Sequence, residues 1–411
     1  MPTRPTESEL WVPNARRRGA RGRVWLTVAI LMVSGMVAIP GTAQIAVPRS
    51  DTPSSTSDLR LHSYLEQAAE AMHRGDNAWA ERALRHALQI DPRSLAALNN
   101  LAIVLTRMGK PAEAIPLYEQ ALKLHPDDPT TKRNLAVADF KAGRYASAWS
   151  LLQPMAADQK ADFQVLDLAG LSLFALDRYT EASKFLERAS QLQPTDLETL
   201  DMLGKAYLRM KDYKALTGVF AQIMQINPNS AAAHVMMGTA YDQMQQRSDA
   251  IKEYQQAEEA DPNFMGVHSG LGYLYFRQGD TELAEKEFRA ELRRFPEDPA
   301  SNCYLGQILL NKSRAVEAER FFQTALKANP RYTEALFGLG RTELAMNHPE
   351  AAIELLRKVV QINPDDFQAH YVLGTALRRT GRTAEAAQQE KISLSIQEKN
   401  RAEAVKKNEG H

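Results

Sequence analysis

One cysteine in 411 residues, Cys303, is too few for an intramolecular disulfide framework or for a multi-cysteine zinc or iron–sulfur site. Aromatic residues are scarce as well, at 7%, while alanine and leucine are abundant, the composition of a closely packed all-helical chain. Neither charge is in excess: 50 basic side chains face 50 acidic ones. A chain built mainly to hold nucleic acid carries a basic surplus, so that class is disfavoured. An apolar fraction of 44% with 24% charged residues argues against wholesale disorder. The zero net charge is an average of two unlike parts. Residues 1–43 hold six arginines and two glutamates, and the remainder holds 44 basic and 48 acidic residues.

The basic part has the order of an export signal. Arg4, Arg16, Arg17, Arg18, Arg21 and Arg23 precede Val24 to Ile39, sixteen residues without a charge, and Pro40-Gly41-Thr42-Ala43 follows. A basic stretch, a short apolar stretch and a small-x-small exit describe a secretory signal peptide, with cleavage expected after Ala43. A retained anchor is the second reading, although sixteen residues fall short of the ~20 that span a bilayer. In both readings the arginines stay in the cytoplasm and the rest is exported, periplasmic or held at the inner membrane. Residues 44–58 are rich in Ser, Thr and Pro and are expected to form a flexible tether.

Beyond the tether one period governs the chain. Pro92, Pro126, Pro194, Pro228, Pro262, Pro296, Pro330 and Pro364 fall on a 34-residue beat, with Lys160 on the missing one. Ala102, Ala136, Gly170, Gly204, Gly238, Gly272, Gly306, Gly340 and Gly374 keep the same spacing. So do Ala80, Ala114, Ala148, Ala182, Ala250, Ala284, Ala318, Ala352 and Ala386, with Leu216 as the exception. A fixed period of this length marks stacked helix pairs. Small residues at recurring positions let two helix backbones approach, while Tyr118, Phe220, Tyr254, Phe288 and Phe322 fill the remaining core. Each proline stops a helix. Ser94, Asp128, Asp196, Asp298 and Asp366 are expected to cap the next one. Turns within pairs are expected at Gly75, Gly109, Gly143, Gly279 and Gly381.

This pattern resembles the tetratricopeptide repeat family; Gly272-Tyr273-Leu274-Tyr275 followed by Ala284, Phe288 and Pro296 is a good single match. Ten copies, beginning near 61, 95, 129, 163, 197, 231, 265, 299, 333 and 367, occupy 59–400, and 401–411 is expected to be a polar tail. The resemblance implies an all-α right-handed superhelical solenoid of about ten antiparallel helix pairs. Its concave groove would be lined by the first helix of each pair. Two copies depart from the pattern. Pro154 should shorten or kink the second helix of the third copy and break the curvature near 150–162. Leu216 and Ile223 should hold the helices of the fifth copy further apart.

No catalytic, cofactor or metal constellation emerges. Gly338-x-Gly340 lies inside a predicted helix and is not a phosphate loop. His234 and His268 share one register position, as do Asp167 and Asp201, but a satisfied histidine and a solvated carboxylate are the ordinary readings. Cys303 reads first as a small buried residue. The resemblance points instead to a groove, with the fifth, ninth, twelfth and thirteenth residues of each copy facing inward. In the first half these are polar or charged: Asn99, Arg133, Asp167 and Asp201. In the second half they are Val235, Tyr273, Phe276, Arg277, Cys303, Gln307, Phe337, Arg341, Tyr371, Thr375 and Arg378, apolar with basic margins. The expected function is a non-catalytic scaffold or adaptor that binds a protein or peptide partner and no nucleic acid. The alternative is a membrane-anchored scaffold subunit of an envelope polysaccharide or secretion machine, touching the membrane only through residues 24–39. Packing of Phe276 and Phe337 against neighbouring helices is the competing reading of the groove.

Overall fold

The computed structural model describes residues 56–409, and the export signal expected at 1–43 lies outside them. Among the described residues there are twenty helices and no strands. The first helices of the ten pairs are α1 (Thr56–His73), α3 (Leu95–Arg107), α5 (Pro129–Lys141), α7 (Phe163–Ala175), α9 (Leu197–Met210), α11 (Ala231–Gln243), α13 (Val267–Gln278), α15 (Pro299–Asn311), α17 (Thr333–Ala345) and α19 (Phe367–Arg379). Their partners are α2 (Asn77–Ile90), α4 (Pro111–Leu124), α6 (Tyr145–Ala156), α8 (Tyr179–Leu192), α10 (Tyr213–Ile226), α12 (Arg247–Ala260), α14 (Thr281–Arg294), α16 (Ala315–Ala328), α18 (Pro349–Ile362) and α20 (Thr383–Glu409). The chain falls into two compact units, one ending at Asp212 and the other beginning at Tyr213, inside the fifth copy. Within each unit every first helix except α9, whose partner begins the second unit, packs on its partner; first helices also pack on the preceding second helix, and consecutive first helices touch.

The local chemistry explains the beat. Ser94, Asp128, Asp196, Asp298 and Asp366 each accept a backbone N–H of the following first turn, and Asp162 and Ser230 do the same for α7 and α11. Between the helices of each pair the chain turns through a left-handed residue. Gly75, Gly109, Gly143, Gly279 and Gly381 take φ of +73 to +84°, and Asp177, Lys211, Gln245, Ser313 and Asn347 take +59 to +66° on the same 34-residue spacing. In all ten turns the next N–H bonds the carbonyl five residues back, from Asp76 to Ala71 through Arg382 to Leu377, at 2.8–3.0 Å. This is the Schellman closure of a helix C-terminus. The turn is therefore a backbone motif that glycine favours and does not require.

Packing follows the small-residue register. A Cβ at Gly170 would lie 2.6 Å from Leu186 Cγ, and one at Gly238, Gly272 or Gly340 would lie 2.9 Å from Tyr254, Phe288 or Leu356. Each of these partners is sixteen residues downstream, on the second helix of the same pair. In the second unit some rings are also gripped from the next pair. Gly270 would place a Cβ 2.3 Å from Tyr254, and Gly338 would place one 2.2 Å from Phe322. Gly338 is thus a packing residue like Gly340.

Several expectations change on contact with the structure. The helical region starts at Thr56, so the end of the 44–58 tether is already α1. The polar tail from 401 continues α20, a helix of 27 residues reaching Glu409. One expectation holds: the helix that contains Pro154, α6, is shortened to 12 residues where the other interior second helices have 14. Helix α13 starts at Val267, since Phe264 stands where the beat would place a polar cap.

Candidate functional site

The first-helix surface of the second unit carries the candidate residues. Tyr304 on α15 joins two of them: its ring centroid is 5.4 Å from Tyr273 and 5.3 Å from Phe276, both on α13. Below, it stacks on Phe288 of α14 at 5.3 Å with an 8° interplanar angle, so the half-buried ring group is rooted in the core. Tyr304 was not among the expected groove positions. It sits one residue past the fifth position, where other copies place Gly270 and Gly338. An aromatic at a position held by glycine in both adjacent copies was the available signal.

Further along the same surface, the Arg341 guanidinium lies 5.9 Å over the Phe337 ring and donates to Gln307 Oε1 at 3.4 Å. The Gln307 amide nitrogen donates to Asn311 Oδ1 at 2.9 Å. Phe337 is half-buried and packs against the clusters around Leu356 and Val359, so it serves both the core and the surface. Tyr371, one copy on, is 60% exposed, which makes it the most accessible aromatic of the row. Thr375 spends its hydroxyl on the carbonyl of Tyr371 within its own helix, at 3.1 Å. Val235 is half-buried, wedged between two small clusters on α11 and its neighbours.

Two expected groove residues turn out to be structural, and a third forms a surface ion pair. Cys303 is 6% exposed within the cluster of Phe288, Leu305, Ile308 and Phe322, and burial pushes its thiol pKa well up. It cannot meet a ligand, and a protonated buried thiol is a poor nucleophile. Arg277 is bound by Asp242 at 2.8 Å and Gln245 at 3.2 Å, and it also lies 5.6 Å over Tyr273. It ties α13 to α11 rather than lining a free basic margin. Arg378 is paired with Glu390 of α20.

The histidines are likewise internal. His234 Nδ1 is 2.7 Å from Glu253 and His268 Nδ1 is 2.8 Å from Glu287, each nineteen residues on within its own pair. The Glu287 carboxylate raises the His268 pKa. The two rings are therefore engaged separately, and no cluster of three or more metal-ligating side chains occurs among the described residues. Asp167 and Asp201 are also separately engaged: Thr199 donates to Asp167 at 2.9 Å, and Lys205 binds Asp201. Burial lifts the Asp167 carboxyl to about 6, with the Thr199 hydroxyl opposing the shift.

Sequence periodicity also misses Glu291. It occupies a position held by alanine at 189, 257 and 325, and it is 1% exposed. Its carboxylate accepts the backbone N–H groups of Gly266 at 2.8 Å and Ser269 at 3.1 Å. A side chain of α14 thus caps α13, which lacks a polar cap of its own. Burial raises the Glu291 pKa despite these two bonds. No described helix is long and apolar enough to cross a membrane.

Three family models, each described as a tetratricopeptide repeat, match the chain. One matches residues 105–171, 309–373 and 343–389; a second matches 65–129, 235–299 and 269–333; the third matches 163–196. No curated protein matches it. Among solved structures, MamA is 24% identical, with 40% of this chain and 96% of that chain covered and a TM-score of 0.36. YrrB, described as a TPR protein with an unusual peptide-binding site, is 20% identical over 44% of this chain and 94% of its own, with a TM-score of 0.40. The human IFIT1 dimer with m7Gppp-AAAA is 15% identical over 74% of this chain and 90% of its own, with a TM-score of 0.39.

Proposed function

The chain belongs to the tetratricopeptide repeat family, and on that premise we propose that it is a non-catalytic scaffold that binds a peptide segment of a protein partner on the first-helix surface of its second unit. One observation carries this reading. Tyr273, Phe276, Tyr304, Phe337 and Tyr371 lie on consecutive first helices with part of each ring at the surface, in a chain with few aromatics. Aromatic anchors beside a cation are the side chains on which binding energy concentrates. The test is selection of dodecapeptides on the purified protein, followed by titration against the Phe337→Ala/Tyr371→Ala double variant. Binding should weaken at least about tenfold, the loss of one good anchor, with helicity unchanged by circular dichroism. Undiminished binding would place the partner elsewhere.

The same proposal includes export. Its support is the sequence pattern of residues 1–43, an arginine-rich stretch followed by sixteen residues without charge and a small-x-small exit. N-terminal sequencing of the protein from its native host should find Gln44 first. An intact N-terminus in the membrane fraction would replace this version with the anchored scaffold, and an intact N-terminus in the cytoplasm would remove export altogether.

A further inference from the structure

Two buried carboxylates and one imidazole meet where α13 begins. His268 Nδ1 lies 2.8 Å from Glu287 Oε2, and Glu291 accepts the N–H groups of Gly266 and Ser269, the residues that bracket His268. Glu287 and Glu291 stand one turn apart on α14, so both face the same helix. Helices α11, α15 and α19 start on their own side-chain caps, Ser230, Asp298 and Asp366. Helix α13 has no such cap, and its first turn is held by α14. The charges around that turn are mostly acidic. Glu258 of α12 acts on His268, and Asp298 at the start of α15 acts on Glu291. Asp242 of α11 is engaged by Arg277, further along α13. Tyr275 of α13 stays a neutral phenol, its pKa raised by burial. The cations lie at the margin: Lys286 is 3.7 Å from Glu287 but 76% exposed, and the exposed Arg294 donates to Asn263. The protonated His268 ring is therefore the inner positive charge that offsets the two carboxylates.

We propose that the proton on His268 is a latch for α13: with it, ring and backbone both bind α14, and without it Glu287 and Glu291 are two buried anions a turn apart and the first turn of α13 loosens. The Glu287 hydrogen bond raises the His268 pKa above 6.5 against the pull of burial, and the charges of Glu287, Glu258 and Glu291 add to the rise. Stability from such a histidine is fully present below about 6.5 and is lost as pH rises through the raised value. Burial raises the Glu291 pKa as well, so its ionisation works in the same direction. Because α13 carries Tyr273 and Phe276, the latch makes the order of their helix respond to pH. A control is built in one copy earlier. His234 meets Glu253 at 2.7 Å in the same register, but Ala257 stands where Glu291 would and Ser230 caps α11. In the tenth pair Gln389 replaces the carboxylate, 2.6 Å from His370.

Hydrogen exchange of the full chain, read by mass spectrometry and corrected for the intrinsic rate, tests the latch between about pH 6 and about pH 9. Protection of residues 266–270 should fall roughly tenfold or more across this range, the size of a hydrogen bond to a charged group. Residues 231–235 of α11 should keep theirs. Glu287→Gln, the tenth pair's arrangement, should flatten the profile and leave protection at about pH 9 above that of the wild type. His268→Gln should hold the turn at the wild type's high-pH level throughout. Constant protection in the wild type, or an equal fall in α11, overturns the proposal. So does a fall that persists in His268→Gln, which would assign it to Glu291. Protection lost at both ends of the range in Glu287→Gln would also overturn it, by making Glu287 a structural tie. The wild-type profile and its α11 control decide the matter even where a variant fails to fold.

Discussion

The two units run the same backbone program with different side-chain economies. In the first, the large residue opposite the small position is aliphatic in Leu84, Leu152 and Leu186, with Tyr118 the exception, and its first-helix surface is closed by internal polar pairs. Asn99 accepts from Thr131, Arg133 pairs with Asp162, Asp167 accepts from Thr199, and Asp201 binds Lys205. In the second, Tyr254, Phe288 and Phe322 take the large position, with Leu356 an exception, glycines make room for them, and aromatic rings extend to the surface. Polar pairs that satisfy one another leave little for a ligand to improve. Rings supported from beneath and half-exposed above leave apolar area to bury. A handful of positions per copy therefore separates a surface engaged with itself from one open to a partner.

The contrast can be attacked first at its ring sockets. Phe322→Ala empties a fully buried site and should cost about 3–5 kcal/mol in denaturant unfolding. Gly338→Ala presses a methyl into the same ring and should cost about 1–3 kcal/mol. Adding Phe322→Leu, the first unit's solution, should restore most of that loss; no restoration would mean that the sockets are not interchangeable. Gly170→Ala should cost less than Gly338→Ala, since its nearest atoms belong to the pliable Leu186 side chain.

A second difference lies in helix capping. Glu291→Ala removes the cap that α14 lends to α13 and should cost about 1–3 kcal/mol, the desolvation cost of amides left unsatisfied. Hydrogen exchange should localise the loss to residues 266–270, and unchanged protection there would discount the cap. In the first unit the corresponding lever is pH. Asp167 holds its proton up to about 6, against 3.8 for an unperturbed group. The native state then binds more protons than the unfolded chain across that window. Stability should fall as pH rises from about 4 to 6 and level off above it. Asp167→Asn should flatten that part of the profile, and an unchanged slope would assign it to another group. The smallest expected effect is at the turns. Ser313→Gly relieves a left-handed non-glycine residue and should add about 0.5–1 kcal/mol, readable as a shift in the denaturation midpoint.

Much of this fold is legible in spacing alone, because the repeat is set by local backbone rules. Prolines, capping residues and small packing positions each announce themselves by type. The left-handed turns at Lys211 and Gln245 do not, since their conformation is imposed by the Schellman closure, although counting 34 from Gly143 reaches them. The surface was less legible. Register placed Phe337, Arg341 and Tyr371 on one side, but it could not tell Arg341 from Arg277. Their difference lies in Asp242, a residue 35 positions away on another helix. Register also treated Cys303 as equivalent to Phe337, although it belongs to the core. Pairing between copies decides which cations are available, and pairing is a three-dimensional property.

The ten identical turn closures have a genetic consequence. Where every turn within a pair has the same bonding, a whole copy can act as a unit of exchange. Duplicating residues 265–298 in frame would add one more tier of Tyr273 and Phe276 while leaving every turn within a pair unchanged. Inserting a single residue inside a helix would instead swing every following side chain of that helix by about 100° and scramble its contacts. Such a chain can lengthen, shorten or shuffle its first-helix surface by recombination, in steps of 34 residues.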